Sequence, residues 1–165
     1  TVTAGNSSGR NDGASAEIVM SRETADALGY TYYLRHVASA TAGVDPTIMG
    51  IGPIEASRRA LKKAGLTIND IGLIELNEAF ASQSVAVMRE WASWSEKETF
   101  DTIWERTNVN GGAIALGHAL AATGGVLTTK VFYELKNRPE ARYAMVTMCI
   151  GGGMGFASIF EQIRR

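Results

Sequence analysis

Tyr143-Ala144-Met145-Val146-Thr147-Met148-Cys149-Ile150-Gly151-Gly152-Gly153-Met154-Gly155-Phe156 sets a mostly apolar run against a cluster of glycines that opens on a second apolar run. The apolar content and the bounding glycines predict two strands, Tyr143 to Ile150 and Phe156 to Ile163, joined by a tight turn. Just upstream, His118 to about Lys136 lacks internal proline and reads as a long helix. A helix feeding a strand is the grammar of an α/β protein, and the rest of the chain repeats it.

After a loop from Thr3 to Gly13, Ala16 to Met20 reads as a strand, and Ser21 offers an N-cap for a helix that ends at Gly29. Thr31 to Ser39 reads as another strand. Pro53 is placed to open a helix whose apolar positions Ile54, Ala60, Leu61 and Ala64 precede a terminating Gly65. Ile71 to Leu76 is a further strand. From Glu78 to about Trp91 the spacing of Phe80, Val85, Val87 and Met88 favours a helix, and a second amphipathic piece follows near Glu96 to Arg106. No repeat, low-complexity tract or proline-rich linker divides the chain, so a single domain over 1–165 is expected, with helices on both faces of a mostly buried sheet.

Composition narrows the function classes. The 165 residues are 45% apolar, enough for an ordinary core, and 16 basic residues balance 17 acidic ones along the chain. Neither a polyanion footprint nor a basic amphipathic membrane face stands out, so nucleic acid and membrane are not expected partners. One cysteine forbids an internal disulfide, and no stretch has the form of a signal peptide or a transmembrane helix. A reducing, soluble compartment, the cytoplasm, is the expectation. The chain begins at Thr1 in a turn-rich segment without methionine, and a missing N-terminal portion is expected.

Three stretches carry chemistry. Glycines let a backbone approach a ligand closely with its N–H groups inward, so Cys149 ahead of Gly151-Gly152-Gly153 reads as a thiol beside an oxyanion site, or as a small buried hydrophobe beside a turn. Asn108-Val109-Asn110-Gly111-Gly112-Ala113-Ile114-Ala115-Leu116-Gly117-His118 leads to a histidine at the start of the expected long helix. The positive end of a helix disfavours imidazolium, which leaves His118 a neutral proton acceptor; capping or packing is the other reading. His36, mid-strand between Arg35 and Val37, reads as structural. Glu75-Leu76-Asn77-Glu78-Ala79-Phe80 places an amide and a carboxylate at a strand-to-helix junction, where α/β proteins collect ligand groups; Asn77 is either such a group or the N-cap of the next helix.

Together with Thr3-Ala4-Gly5-Asn6, Ser8-Gly9, Asn11-Asp12-Gly13 and Gly50-Ile51-Gly52-Pro53, these stretches make the chain resemble the C-terminal half of a thiolase, the acetyl-CoA acetyltransferase and 3-ketoacyl-CoA thiolase family, over essentially its whole length. The resemblance implies a three-layer α/β/α half with a mixed sheet of about five strands. It implies acyl transfer between CoA thioesters, with acyl-CoA and CoA as substrates and no metal or other cofactor. The nucleophilic cysteine would come from an N-terminal half, in the same chain or a separate one, and the complete enzyme would be a homo-oligomer. His118 would activate that nucleophile and help bind a thioester oxygen, Asn77 would hold the water that completes this oxyanion site, and Cys149 would shuttle a proton to and from the substrate α-carbon or the CoA sulfur. The Gly151 N–H would serve a second oxyanion hole. Ala4 and Ser8 would touch the pantetheine arm, with Met49, Ala79, Phe80 and Leu120 lining the acyl pocket.

Two positions depart from the family's pattern, which has proline after the histidine and glycine two residues later, where this sequence has Ala119 and Ala121. The stretch between Asn77 and His118 is also long and carries Trp91, Trp94, Phe100 and Trp104, read as a helix packed on its own domain or as a partner contact. With no second cysteine, the chain alone is not expected to complete a catalytic cycle. A thiolase half is the leading reading and a noncatalytic thiolase-like interaction or scaffold module the alternative. A nucleotide-binding domain is disfavoured because Gly151 to Phe156 lacks the sixth-position glycine and no phosphate-loop lysine follows a glycine run.

Overall fold

The computed structural model describes residues 1–165. The elements follow one another as α1 (Arg22–Ala27), β1 (Tyr32–Gly43), α2 (Gly52–Ala64), β2 (Ile71–Leu76), α3 (Ala81–Ala92), α4 (Phe100–Glu105), α5 (Ala113–Leu116), α6 (Thr123–Asn137), β3 (Tyr143–Ile150) and β4 (Met154–Arg164). Local chemistry explains several boundaries. Ser21 Oγ accepts the Thr24 N–H to start α1, Pro53 sits in the first turn of α2, and Gly65 ends that helix in the left-handed conformation at φ +68°. Thr99 and Thr102 exchange side-chain-to-backbone hydrogen bonds at the start of α4.

The sheet runs β1-β4-β3-β2, with β1/β4 and β4/β3 antiparallel and β3/β2 parallel. Helices α2 and α3 cover one face, where Ala56, Leu61, Val87 and Trp91 pack with Leu76, Met145 and Ile159. Helix α6 covers the other, setting Leu127, Val131 and Leu135 against Leu73 and Val146. The result is the expected three-layer α/β/α arrangement. On α2, Arg59 and Lys63 donate to the Thr41 and Ser39 carbonyls of edge strand β1 (3.3 and 3.0 Å), placing cations along an edge open to unwanted pairing.

Four strands form rather than about five. Ala16 to Met20 is not one of them: residues 12–20 make no backbone–backbone hydrogen bond, and Ile18 and Val19 are 82% and 92% exposed. A strand pattern makes a strand only where a neighbour takes its backbone groups. The position beside β2 is filled instead by a one-residue parallel bridge between Ile74 and Thr107, in which the Ile74 N–H donates to Arg106 (2.8 Å) and the Asn108 N–H to Ile74 (2.9 Å).

The helices expected over Glu78–Trp91, Glu96–Arg106 and His118–Lys136 are shorter at their starts. Phe80 is extended, so α3 begins at Ala81 and Asn77 caps nothing. His118 is separated from α6 because its backbone pairs with Asn11: the Asn11 N–H donates to the His118 carbonyl (3.2 Å) and the His118 N–H to Asn11 Oδ1 (3.0 Å). Gly117, at φ +98°, turns the chain into that pairing. Of the four aromatics beyond Asn77, Trp91 is fully buried, Trp94 and Phe100 pack against the same core, and only Trp104 is exposed. Own-domain packing accounts for most of that stretch.

Two contacts tie the layers together near the carboxyl end of the parallel pair. A Cβ on Gly155 would lie 2.1 Å from the Gly52 carbonyl oxygen, and one on Gly52 2.5 Å from the Met154 oxygen, so α2 starts in direct backbone contact with β4. On the opposite face Lys130 of α6 donates to Glu75 Oε2 of β2 (2.5 Å) and to the Gly111 carbonyl (2.6 Å). Glu75 is fully buried, and burial pushes its carboxyl up to about 7 against the lowering pull of Lys130.

Gly155→Ala is expected to cost about 1–3 kcal/mol or more in urea unfolding, because neither backbone can retreat from the added methyl. Because folded Glu75 holds its proton to higher pH than the unfolded chain does, its contribution to stability is complete below its ordinary value of 4.5 and is lost as pH rises to about 7. Urea melts across that window should show the stability of wild type relative to Glu75→Gln falling with pH and levelling off above it.

Candidate functional site

Strand β2 ends by handing its pairing to Asn77, whose N–H donates to the Thr147 carbonyl of β3 (2.9 Å). Asn77 is 2% exposed and its Oδ1 has no partner in the protein. The next residue, Glu78, stands outside α3 and braces the glycine loop: its Oε1 accepts from Asn108 Nδ2 (2.8 Å) and its Oε2 from the Ile114 N–H (3.2 Å). Gly112 makes room for this carboxylate, since a Cβ there would lie 2.0 Å from Glu78 Cδ. Asn108 adopts φ +49°, a conformation asparagine tolerates better than most residues, and its amide also bonds both backbone groups of Leu76 (2.9 and 2.8 Å).

The loop so anchored leads to His118. Its Nδ1 lies 2.7 Å from Thr123 Oγ1, and that hydroxyl donates its single proton to the Ala119 carbonyl (3.1 Å). Both contacts are satisfied at once by the tautomer in which Nδ1 carries the imidazole proton and donates to that hydroxyl, which leaves Nε2 a free lone pair. Burial lowers the imidazole below its ordinary range, which keeps the neutral form at pH 7. The expectation of a neutral histidine therefore rests here on desolvation, because His118 precedes the first residue of α6 by five positions. His36 is exposed on β1 and packs edge-on against Phe160, with ring centroids 5.8 Å apart.

Cys149 lies at the carboxyl end of β3, paired with Gly155 of β4 and half-buried. Burial pushes its thiol above the ordinary range, so it is a protonated S–H at neutral pH. Gly152 and Gly153 turn the chain at φ +79° and +81°, and a Cβ on Gly153 would lie 2.4 Å from the Val44 carbonyl oxygen. Gly151 is exposed at the first position of that turn.

Asn77, Gly112, Gly117, Ala119, Thr123 and Lys130 contribute to the walls of a cavity of about 150 Å³ between the end of β2 and the start of α6. Cys149 and Gly151 belong to the neighbouring strand end, outside it. Ser8 donates its N–H to the Ala79 carbonyl (3.0 Å) and Ser7 bridges to Phe80, so the N-terminal strip lies along these two residues, with Ala4 exposed beyond it. Met49 is half-buried in the turn Pro46–Ile51 that leads into α2. Leu120, 67% exposed, and Ala121 line an open groove rather than the cavity. The methyl of Ala119 abuts Gly13, where a Cβ would come within 2.8 Å.

Sequence reasoning missed Asn11, Asn108 and Lys130, and misplaced Glu78 in a helix. Asn11 and Asn108 each lie within three residues of a glycine and signal a turn, but their partners His118 and Glu78 lie 107 and 30 residues away. No group of three or more His, Cys, Asp or Glu is placed to hold a metal ion, and no helix is long and apolar enough to cross a membrane.

Comparison with known proteins matches the family model for the C-terminal domain of thiolase to residues 30–162. The 3-ketoacyl-CoA thiolase of Bacillus subtilis (strain 168) is 55% identical over 161 residues, covering 98% of this chain and 39% of that protein. The acetyl-CoA acetyltransferase of Syntrophomonas wolfei is 52% identical, covering 99% and 39%. The crystal structure of the Bacillus anthracis acetyl-CoA acetyltransferase superposes with a TM-score of 0.85 at 40% identity, covering 98% of this chain and 39% of that one. The chain thus spans about two fifths of the length of these relatives. By the match of its residues 30–162 and by its fold, the chain belongs to the thiolase family and carries that family's C-terminal domain.

Proposed function

We propose that residues 1–165 act as one unit, the C-terminal catalytic half of a thiolase that transfers acyl groups between CoA thioesters once an N-terminal half supplies the nucleophilic cysteine. The observation that carries this reading is that Asn77 follows β2 and Cys149 ends β3 at the carboxyl end of the sheet's parallel pair, where Asn108 ties the start of the loop toward His118 to Leu76. That end is where open α/β sheets bind ligands.

In the thiolysis direction, His118 Nε2 takes the proton of the partner half's cysteine, and the resulting thiolate attacks the 3-keto carbon. The bond between C2 and C3 breaks, leaving an acyl thioester on the partner's sulfur and the enolate of acetyl-CoA. Cys149, held as a thiol by burial, gives its proton to C2. The Cys149 thiolate then takes the proton from the sulfur of an incoming CoA, which attacks the acyl thioester; the bond to the partner's sulfur breaks, that sulfur takes back its proton from His118, and acyl-CoA is released. Asn77 orients the water that, with His118, completes the first oxyanion site, and the Gly151 N–H faces the enolate oxygen. Donors placed in advance at such positions are worth about 3 kcal/mol each where charge develops. Ala4 and Ser8 bind the pantetheine arm, while Met49, Ala79, Phe80 and Leu120 bound the acyl pocket. The complete enzyme associates as a homo-oligomer.

Co-production with the N-terminal half of the Bacillus subtilis relative is expected to give thiolysis of acetoacetyl-CoA that the purified chain alone lacks. A folded complex without turnover would favour a noncatalytic scaffold. In the active complex, His118→Ala should lower kcat by roughly 10²–10⁴-fold, the range of a lost general base. The Ala119 N–H donates to no backbone carbonyl, so Ala119→Pro with Ala121→Gly is expected to fold and to raise turnover. Iodoacetamide should label Cys149 slowly at pH 7 and faster as pH rises past the ordinary thiol range, because burial holds the thiol above it.

A further inference from the structure

Lys130 of α6 is 17% exposed, while its partner Glu75 is fully buried. Two of its three N–H donors are committed, one to Glu75 Oε2 and one to the Gly111 carbonyl. Those bonds span β2 and the loop that carries His118, and they leave the ammonium in the wall of the cavity that Asn77 also lines. In Asn77, which lines the same cavity, Oδ1 is a buried acceptor without a protein partner, as is Oε1 of Glu75. A buried acceptor left unpaired forfeits its hydration, so this amide has a strong incentive to find a donor.

We propose that Lys130 is a positioning residue for Asn77: its remaining N–H, relayed through one water in the shared cavity, holds the Asn77 amide with Oδ1 inward and Nδ2 toward the reacting side. The cavity, at about 150 Å³, has room for such a water. The water accepts from Lys130 and donates to Asn77 Oδ1. Turning the amide over would bring its N–H dipoles, in place of its oxygen, toward the ammonium that hydrogen bonds to Glu75 and Gly111 hold in the cavity wall, so the charge selects one face of the amide. The inference rests on the proposed function for the importance of that face, because a donor presented at Nδ2 is what would hold the oxyanion-site water. Glu75 in turn keeps the ammonium in place.

The test is side-chain amide NMR on the ¹⁵N-labelled chain, with the Asn77 pair assigned by its loss in Asn77→Asp. Lys130→Met is expected to shift that pair, because the relayed donor on Oδ1 is lost, while a distant pair such as that of Asn69 stays. Glu75→Gln/Lys130→Met removes both charges and so avoids stranding a buried carboxylate; it should show the same Asn77 change in a fully folded protein, and it carries the test should the single variant not fold. An unaltered Asn77 pair in the folded double variant overturns the proposal. In the reconstituted enzyme, Lys130→Met should lower kcat with KM unchanged. Turnover that survives Asn77→Ala would overturn the proposed role of Asn77 while leaving the NMR result, and with it the Lys130 relay, intact.

Discussion

The side-chain amide of Asn108 stands in for a strand. Beside β2 the sheet would continue with a fifth neighbour, and it does so for one residue at Thr107 before the backbone turns away at Asn108. From there the amide, rather than a peptide group, accepts from and donates to the backbone of Leu76. Because the same Nδ2 also reaches Glu78, the end of β2, the entry to α3 and the glycine loop are fixed by one planar group. Gly112 has no alternative at its position, since the carboxylate occupies the space a methyl would need. The placement of Asn77 and His118 relative to each other follows from these contacts, with Asn11 pinning the far end of the loop.

Cys149 is placed by a different device. No polar side chain orients it; the turn after it is held by backbone against backbone, with Gly155 on Gly52 and Gly153 on Val44. Two of the glycines are needed for their left-handed conformation and two for the closeness of approach. The thiol therefore sits where α2, β3 and β4 converge, and any change in the packing of α2 is transmitted to it without an intervening side chain.

The parts of this arrangement legible in the sequence are those whose cause is local. Ser21, Pro53 and Gly65 set helix ends through neighbours within a turn, and the apolar runs at Ile71–Leu76 and Tyr143–Ile150 announce buried strands whatever they pair with. The failures have distant causes. Ala16 to Met20 reads as a strand and finds no backbone partner in this chain. His118 looks like a helix start until Asn11, 107 residues earlier, holds its backbone extended. Asn77 resembles a cap because its true environment is the buried end of β2. Lys130 looks like a solvated cation on a helix, and only the fold sets Glu75 opposite it. Motif recognition succeeded because the chemistry-bearing residues cluster in short stretches; the groups that position them do not.

Burial is the common cause of the electrostatics near the end of the parallel pair. It raises Glu75 and Cys149 and lowers His118, and in each case it shifts the balance toward the uncharged form. Desolvation acts on acids and bases in opposite directions on the pH scale but in the same direction on charge. A thiol and an imidazole both held neutral can exchange a proton with substrate without first surrendering a hydration shell, and each regains its resting form when the proton returns. A salt-bridged histidine or a thiolate stabilised by a cation would be poorer at this, since one of its two proton states would be locked. Lys130 is the cation set against this pattern: it donates to Glu75 Oε2 and pulls that carboxyl down, and burial still leaves the carboxyl raised to about 7.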